Sequence, residues 1–230
     1  MYKITGIKAI SFDGDQTLWD FQKVMRKSLG YVMIELEKAD PVAASRLNIE
    51  KMIEIRNRVA GELKGRVTNL EAIRLEAFKQ TLRDVGRPDD LLAARLNKLY
   101  LKHRFEDTQL YDDVLPVLST LQKKYKLGLV SNGNSYPERC GLDGLFQFIV
   151  FSQDCGVEKP DPRFYQIAVA VSGCSKEQLL HVGDSLENDF IGASNAGIKS
   201  VWLNRQQLKP GSEISINYEI RSLSELLEFL

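Results

Sequence analysis

Apolar and polar positions change rhythm twice along the 230-residue chain. "ITGIKAISF", Ile4 to Phe12, is apolar enough to be a buried strand, and polar "DGDQT" follows it directly. From about Leu18 to Asp107 strand signals vanish and helical spacing takes over. "FQKVMRKSLGYVMIELEKAD" places Val24, Leu29, Val32, Met33 and Leu36 on one stripe, and Asp40-Pro41 stops it. "IEKMIEIRNRVAGEL" predicts a second helix. "TNLEAIRLEAFKQTLRDVG" predicts a third, with a capping box of Thr68 and Glu71 and a stop at Gly86. "PDDLLAARLNKLYLKHRF" predicts a fourth, with Pro88 near its start.

From Leu110 the two rhythms alternate. "DVLPVLSTLQKKY" is helical, "KLGLVSNG" and "FIVFSQD" are short strands, and "RFYQIAVAVSG" is helical. "LLHVGDS" is a strand, "NDFIGASNAG" a helix, "KSVWLN" a strand, and "YEIRS" and "LSELLEFL" a last strand and helix. Strands separated by helices predict right-handed βαβ units, hence an α/β fold with a parallel sheet covered by helices. The first strand belongs to that sheet. Residues 1–17 and 108–230 therefore read as one α/β core, and 18–107 as an all-helical insertion.

Composition narrows the partners. The 31 basic and 31 acidic side chains cancel, so no global field favours nucleic acid or an anionic membrane. No apolar run approaches the roughly 20 residues that span a bilayer, and "MYKITGIKAISFDGD" lacks a signal-peptide pattern. Cys140, Cys155 and Cys174 show neither CxxC nor zinc spacing and read as reduced thiols of a cytoplasmic protein. His181, inside an apolar strand, reads as a satisfied core residue. "RQQLKPGSEIS" reads as a polar surface loop.

In an open α/β sheet, ligands bind beyond the carboxyl ends of the strands. Asp13, Asp15 and Thr17 stand after the first strand, and Ser131, Asn132 and Gly133 after the second. Lys159-Pro160 follows the third, while Asp184 and Ser185, with Asn188 and Asp189, follow the fourth. Each cluster alone is an ordinary turn or helix cap. Together they suit phosphoryl transfer, which needs positioning and counter-charge for spreading oxygen charge. Carboxylates at adjoining strand ends repel unless a cation sits between them, and oxygen ligands with open water positions suit Mg²⁺. One such carboxylate can act as nucleophile. A hydroxyl, backbone N–H groups and a lysine would hold the phosphate oxygens.

With "DGDQT", "VSNG", "VEKPDP" and "VGDSLEND" in this order, the chain resembles the haloacid dehalogenase-like superfamily, in its phosphatase branch. The resemblance implies a Rossmann-like core and a mobile helical cap between the first and second motifs. It implies Asp13 as nucleophile and Asp15 as acid/base. It gives Mg²⁺ to Asp13, the Asp15 carbonyl and Asp184, with Asp189 in support. Ser131, Asn132, Gly133 and Lys159 would bind phosphate, and Thr17 falls with them while steadying the loop. Gln16 stands where Asp, Gly or Asn is commoner in that family.

Phosphomutase chemistry uses the same residues with water excluded. Dehalogenases of the family typically lack the second acid, because no leaving oxygen needs a proton; Asp15 speaks against that reaction. A receiver-like switch places its phospho-accepting Asp after the third strand, where this chain has Asp154 in a turn. The expected substrate is a small phosphorylated metabolite; nucleotides, sugar phosphates and phosphoglycolate all stay open, as does oligomeric state. Lys23, Arg26, Lys27, Arg56 and Arg58 of the insertion read as solvated faces.

Overall fold

The computed structural model describes residues 3–211 and 214–230; Ser212 and Glu213 of the expected surface loop lie outside it. Six parallel strands form one sheet: β1 (Ala9–Phe12), β2 (Lys126–Ser131), β3 (Phe148–Phe151), β4 (Leu179–Gly183), β5 (Lys199–Leu203) and β6 (Glu219–Ile220). Their order is β3-β2-β1-β4-β5-β6. β1 lies between β2 and β4, pairing Phe12 with Leu129 on one side and Val182 on the other. Strand order reverses there, which is the switch point where α/β sheets open a crevice. β1 and β4 are buried throughout, as strands covered on both faces must be, so they read as unbroken apolar runs rather than alternating ones.

The chain divides into two compact units: residues through Asp20 with Leu110–Leu230, and Phe21–Gln109. Leu18 and Trp19, placed by sequence in the insertion, fall in the sheet unit. Both are buried, and Trp19 bridges to Leu110 while Leu18 carbonyl accepts from Tyr111 N–H at 3.0 Å.

The second unit is helical. It holds α1 (Phe21–Ala39), α2 (Pro41–Ala44), α3 (Ile49–Leu63), α4 (Leu70–Asp84) and α5 (Asp90–Glu106). The α1 stripe is buried through Val24, Leu29, Val32 and Leu36, and Met25 and Ser28 widen it; Met33 sits at its margin. Asp40 both ends α1 and caps α2, its carboxylate accepting from Ala43 N–H at 2.9 Å. The predicted capping box at Thr68 does not form. Asn69 is the cap instead, its side chain accepting from Ala72 N–H at 2.9 Å, and α5 is capped by Asp89, one residue past Pro88. Arg26 pairs with Glu50, Lys27 with Asp107 and Arg58 with Asp84 within this unit.

In the sheet unit, α6 (Val114–Leu121), α7 (Ser152–Cys155), α8 (Pro162–Ser172), α9 (Gly192–Asn195) and α10 (Leu226–Phe229) complete the fold. Val130, Phe148, Val150, Phe164, Tyr165 and Ala168 pack one core between the sheet and α8. The helix predicted over "NDFIGASNAG" is wound as a π-turn over Leu186–Ile191 before α9 begins. That wider turn carries Asp189, whose carboxylate reaches back beneath the end of β4. Among the described residues, no helix is long and apolar enough to cross a membrane.

Candidate active site

A cavity of about 150 Å³ opens at the carboxyl ends of β1, β2 and β4. One water needs roughly 10–15 Å³, so the space admits a phosphoryl group with hydration. Asp13, Asp15, Ser131, Asn132, Gly133, Lys159, Asp184 and Asp189 line it, with Ser185 and Asn188. Segments separated by up to 176 residues thus meet, because parallel strands deliver all their carboxyl ends to one edge.

Asp13 continues from β1, its N–H donating to the Val182 carbonyl at 2.9 Å. Lys159 is 3% exposed, and its ammonium spends all three protons: on Asp13 Oδ1 at 2.6 Å, Asp189 Oδ1 at 2.6 Å and the Val130 carbonyl at 3.0 Å. Asn132 holds the Lys159 backbone from both sides, accepting from its N–H at 2.8 Å and donating to its carbonyl at 3.0 Å. Lys159 therefore acts here as the internal counter-ion of two carboxylates.

Asp189 is the most enclosed acid. Besides Lys159, His181 Nε2 lies 3.0 Å from Oδ1, and Ser185 N–H donates to Oδ2 at 2.9 Å. The other His181 nitrogen, Nδ1, lies 2.8 Å from Ser11 Oγ. His181 is the satisfied core residue the strand pattern suggests, and it also buttresses the site from behind. Burial lowers its pKa, so it rests neutral. Burial works to raise Asp189, but Lys159 and His181 outweigh it and hold the carboxyl below its ordinary range. Gly183 makes this possible: a Cβ there would meet Asp189 Cγ at 2.2 Å.

The remaining acids move the other way. Burial, with repulsion from Asp189 and Asp184, pushes Asp13 up to about 8 despite Lys159. Burial and Asp189 push Asp184 up to about 7. Ligand oxygens of Asp13, Asp184 and Asp189 all lie within 4.8 Å of one another. Hard oxygen donors this close, with Asp13 and Asp184 resisting ionisation beside an ionised Asp189, are a donor set that a divalent cation fits.

Thr17, expected among the phosphate ligands, does not line the cavity. Its hydroxyl accepts from Asp184 N–H at 3.1 Å and lies 3.4 Å from Asp184 Oδ1, tying the loop after β1 to the loop after β4. Ser131 Oγ accepts from Gly133 N–H at 3.1 Å, which bends the polar turn toward the cavity. Gln16 has φ of 64°; a Gly or Asn adopts that left-handed geometry more readily.

Sequence reading misses the tryptophans. Trp202 donates its indole N–H to the Asp184 carbonyl at 2.8 Å, and Trp19 donates to Asp15 Oδ1 at 2.8 Å. The chain has two tryptophans, and both grip an acidic loop. The available signal is chemical: a buried indole N–H needs an acceptor, and both residues stand within a few positions of a motif or strand end. Arg205 adds a second brace, donating to both Asp113 oxygens at 2.9 Å and to the Thr17 carbonyl at 3.1 Å.

The model of the haloacid dehalogenase-like hydrolases matches residues 7–197. The chain belongs to this family. It is 29% identical to a glyceraldehyde 3-phosphate phosphatase of Methanopyrus kandleri, with 96% of each chain aligned. Among solved structures it resembles a 2-haloacid dehalogenase of Pseudomonas syringae, at 30% identity, TM-score 0.83 and 97% coverage of both chains. A magnesium-bound hydrolase of the family from Bacillus subtilis is similar at 26% identity and TM-score 0.73, covering 96% of this chain and 97% of its own.

Proposed function

We propose that this hydrolase is a Mg²⁺-dependent phosphatase acting on a small organic phosphomonoester through an aspartyl-phosphate on Asp13. One observation carries the reading: two carboxylates from the same turn, Asp13 and Asp15, line one cavity with Lys159 and Asp184. The dehalogenase likeness offers no use for the second of them, whereas ester cleavage needs a proton for the leaving oxygen.

In this reading the free oxygen of Asp13 attacks phosphorus in line as the ester oxygen departs. Asp15 gives its proton to that oxygen, and the alcohol leaves. Asp15 then takes a proton from water as the water oxygen attacks the same phosphorus. The acyl-phosphate bond breaks, inorganic phosphate is released and Asp13 returns as a carboxylate. Lys159 keeps Asp13 placed and partly neutralised. Ser131 Oγ and the N–H groups about Gly133 receive phosphate oxygens. Asp13, the Asp15 carbonyl and Asp184 would hold Mg²⁺, which supplies positive charge among carboxylates and phosphate. Asp189, held by Lys159, His181 and Ser185 and within 4.8 Å of Asp13 and Asp184 ligand oxygens, would support that set.

The magnesium-bound relative and the phosphatase relative support metal and reaction. The helical unit is read as the cap that selects substrate and excludes bulk water. A panel of sugar, nucleotide and aryl phosphates, with Mg²⁺ and with chelator, tests the proposal. Mg²⁺-dependent phosphate release, abolished in Asp13→Asn, is expected. Release that survives in Asp13→Asn, or none from any ester, overturns it.

A further inference from the structure

Trp19 is 1% exposed, and its ring packs against Gly14 in the turn that carries Asp15. Gln16 N–H donates to the Trp19 carbonyl at 2.8 Å, and Leu18 N–H to the Gly14 carbonyl at 2.8 Å, so the loop closes on itself. Gly14 leaves the room: a Cβ there would meet Trp19 Cζ2 at 2.7 Å. Within this locked turn the indole N–H donates to Asp15 Oδ1 at 2.8 Å, and Ser135 Oγ donates to the same oxygen at 3.3 Å. Asp15 Oδ2 is on the other side, where a Cβ on Gly133 would approach it to 3.0 Å. One oxygen of this carboxylate is gripped; the other faces the phosphate-side turn.

We propose that Trp19, assisted by Ser135, is the positioning residue that dedicates Asp15 Oδ2 to proton transfer by occupying Oδ1. The proposal rests on the phosphatase reading for its chemistry. Its physical basis is the indole, a donor with no lone pair to offer. A proton on Oδ1 would point at another N–H, so the carboxylic acid carries its proton on Oδ2. Ser135 can rotate its hydroxyl to suit either state, but Trp19 cannot. When Oδ2 passes its proton to the departing ester oxygen, negative charge develops on Asp15, and the bond from the indole becomes charge-assisted and stronger. In the second half-reaction Oδ2 takes the proton of the attacking water, and the indole bond returns to its first state. Trp19 touches no reacting atom; it acts through Asp15.

Trp19→Phe keeps the buried ring and removes the N–H. Turnover of an alkyl phosphate, whose leaving oxygen must be protonated, should fall about 10–100-fold, the worth of a hydrogen bond to a charged group. KM should stay within about threefold. The burst of aryl alcohol from an activated aryl phosphate, whose leaving group needs no proton, should fall at least about tenfold less. Equal losses on the two esters, or none on either, overturn the proposal. A second readout does not need activity. Trp19→Phe assigns the two indole N–H proton resonances by removing one, and Asp15→Ala should then move the Trp19 resonance upfield while leaving that of Trp202 in place. A Trp19 resonance that ignores Asp15→Ala overturns the grip. Wild-type protein inactive on every ester would instead sink the phosphatase reading, and the resonance would still decide whether Trp19 holds Asp15.

Discussion

In the proposed phosphatase, Asp13 and Asp184 would couple Mg²⁺ binding to pH in a direction their raised pKa values set. Their folded-state pKa values, raised to about 8 and about 7 by burial and by neighbouring carboxylates, stand far above the unfolded value near 3.8. Between those limits the folded, metal-free protein binds more protons than the unfolded chain. Its stability should therefore fall as pH rises toward 8, by at most about 1.4 kcal/mol per pH unit for each group. Mg²⁺ must displace those protons. From pH 8.5 to pH 6, Asp13 contributes about two tenfold losses of affinity and Asp184 about one, roughly 10³-fold together. At pH 8.5, Mg²⁺ at 100 times its Kd should stabilise by about 2.7 kcal/mol. For a chain of this size that is about 5–10 °C in Tm. The same Mg²⁺ concentration at pH 6 should shift Tm by less than about 1 °C. Thermal unfolding at both pH values, with and without Mg²⁺, measures this, and calorimetry in two buffers counts the protons released. An equal Mg²⁺ shift at pH 6 and 8.5 would refute the coupling, as would a shift that survives in Asp13→Asn.

Three further outcomes follow from single contacts. Lys159→Met leaves Asp13 and Asp189 facing each other without their cation, which should cost about 3–5 kcal/mol at pH 7. Because the wild-type carboxyl of Asp189 is held low, its contribution is present above about pH 4 and lost below; the gap between variant and wild type should narrow as pH falls below about 4, and a gap unchanged there in chemical denaturation would count against the pairing. Gly183→Ala drives a methyl into Asp189 Cγ, 2.2 Å from the ideal Cβ position. It should cost about 1–3 kcal/mol and, by displacing Lys159, on the order of 10²-fold in phosphate release; wild-type kcat would exclude a role for the Asp189–Lys159 brace. Ca²⁺, which takes about 6–8 ligands and binds carboxylates in bidentate fashion, should occupy the second oxygen of Asp13, competing with Mg²⁺ and inhibiting turnover while substrate still binds. Turnover as fast with Ca²⁺ as with Mg²⁺ would contradict a nucleophilic Asp13.

The sheet is legible in sequence because its central strands are unbroken apolar runs that end abruptly in polar turns. Phe12 passes to Asp13, Val130 to Ser131 and Val182 to Gly183 and Asp184, and a parallel sheet then brings those turns to one edge. What the polar side chains do there is not legible, because hydrogen-bond partners are chosen by tertiary packing. Thr17 looks like a phosphate ligand by position, yet its hydroxyl is spent on Asp184, 167 residues away. Asp189 reads only as support for a metal, and the π-turn at Leu186–Ile191 also brings it onto Lys159 and His181, partners the spacing does not announce. Helical spacing does not distinguish that turn from an ordinary helix. Thr68 and Asn69 are both good caps, and in the fold it is Asn69 that bonds Ala72 N–H. The part Trp19 plays shows only once its N–H is given an acceptor.

The central claim is a covalent bond between phosphorus and Asp13. Rapid mixing of enzyme, Mg²⁺ and an aryl phosphate, followed by acid quench and borohydride reduction, converts an aspartyl-phosphate to homoserine. Mass spectrometry of the peptide containing Ser11–Asp20 then locates it. Homoserine at position 13, absent without substrate and in Asp13→Asn, is the result this account predicts. Homoserine at Asp15, Asp184 or Asp189, or phosphate released in full with position 13 never modified, would contradict it.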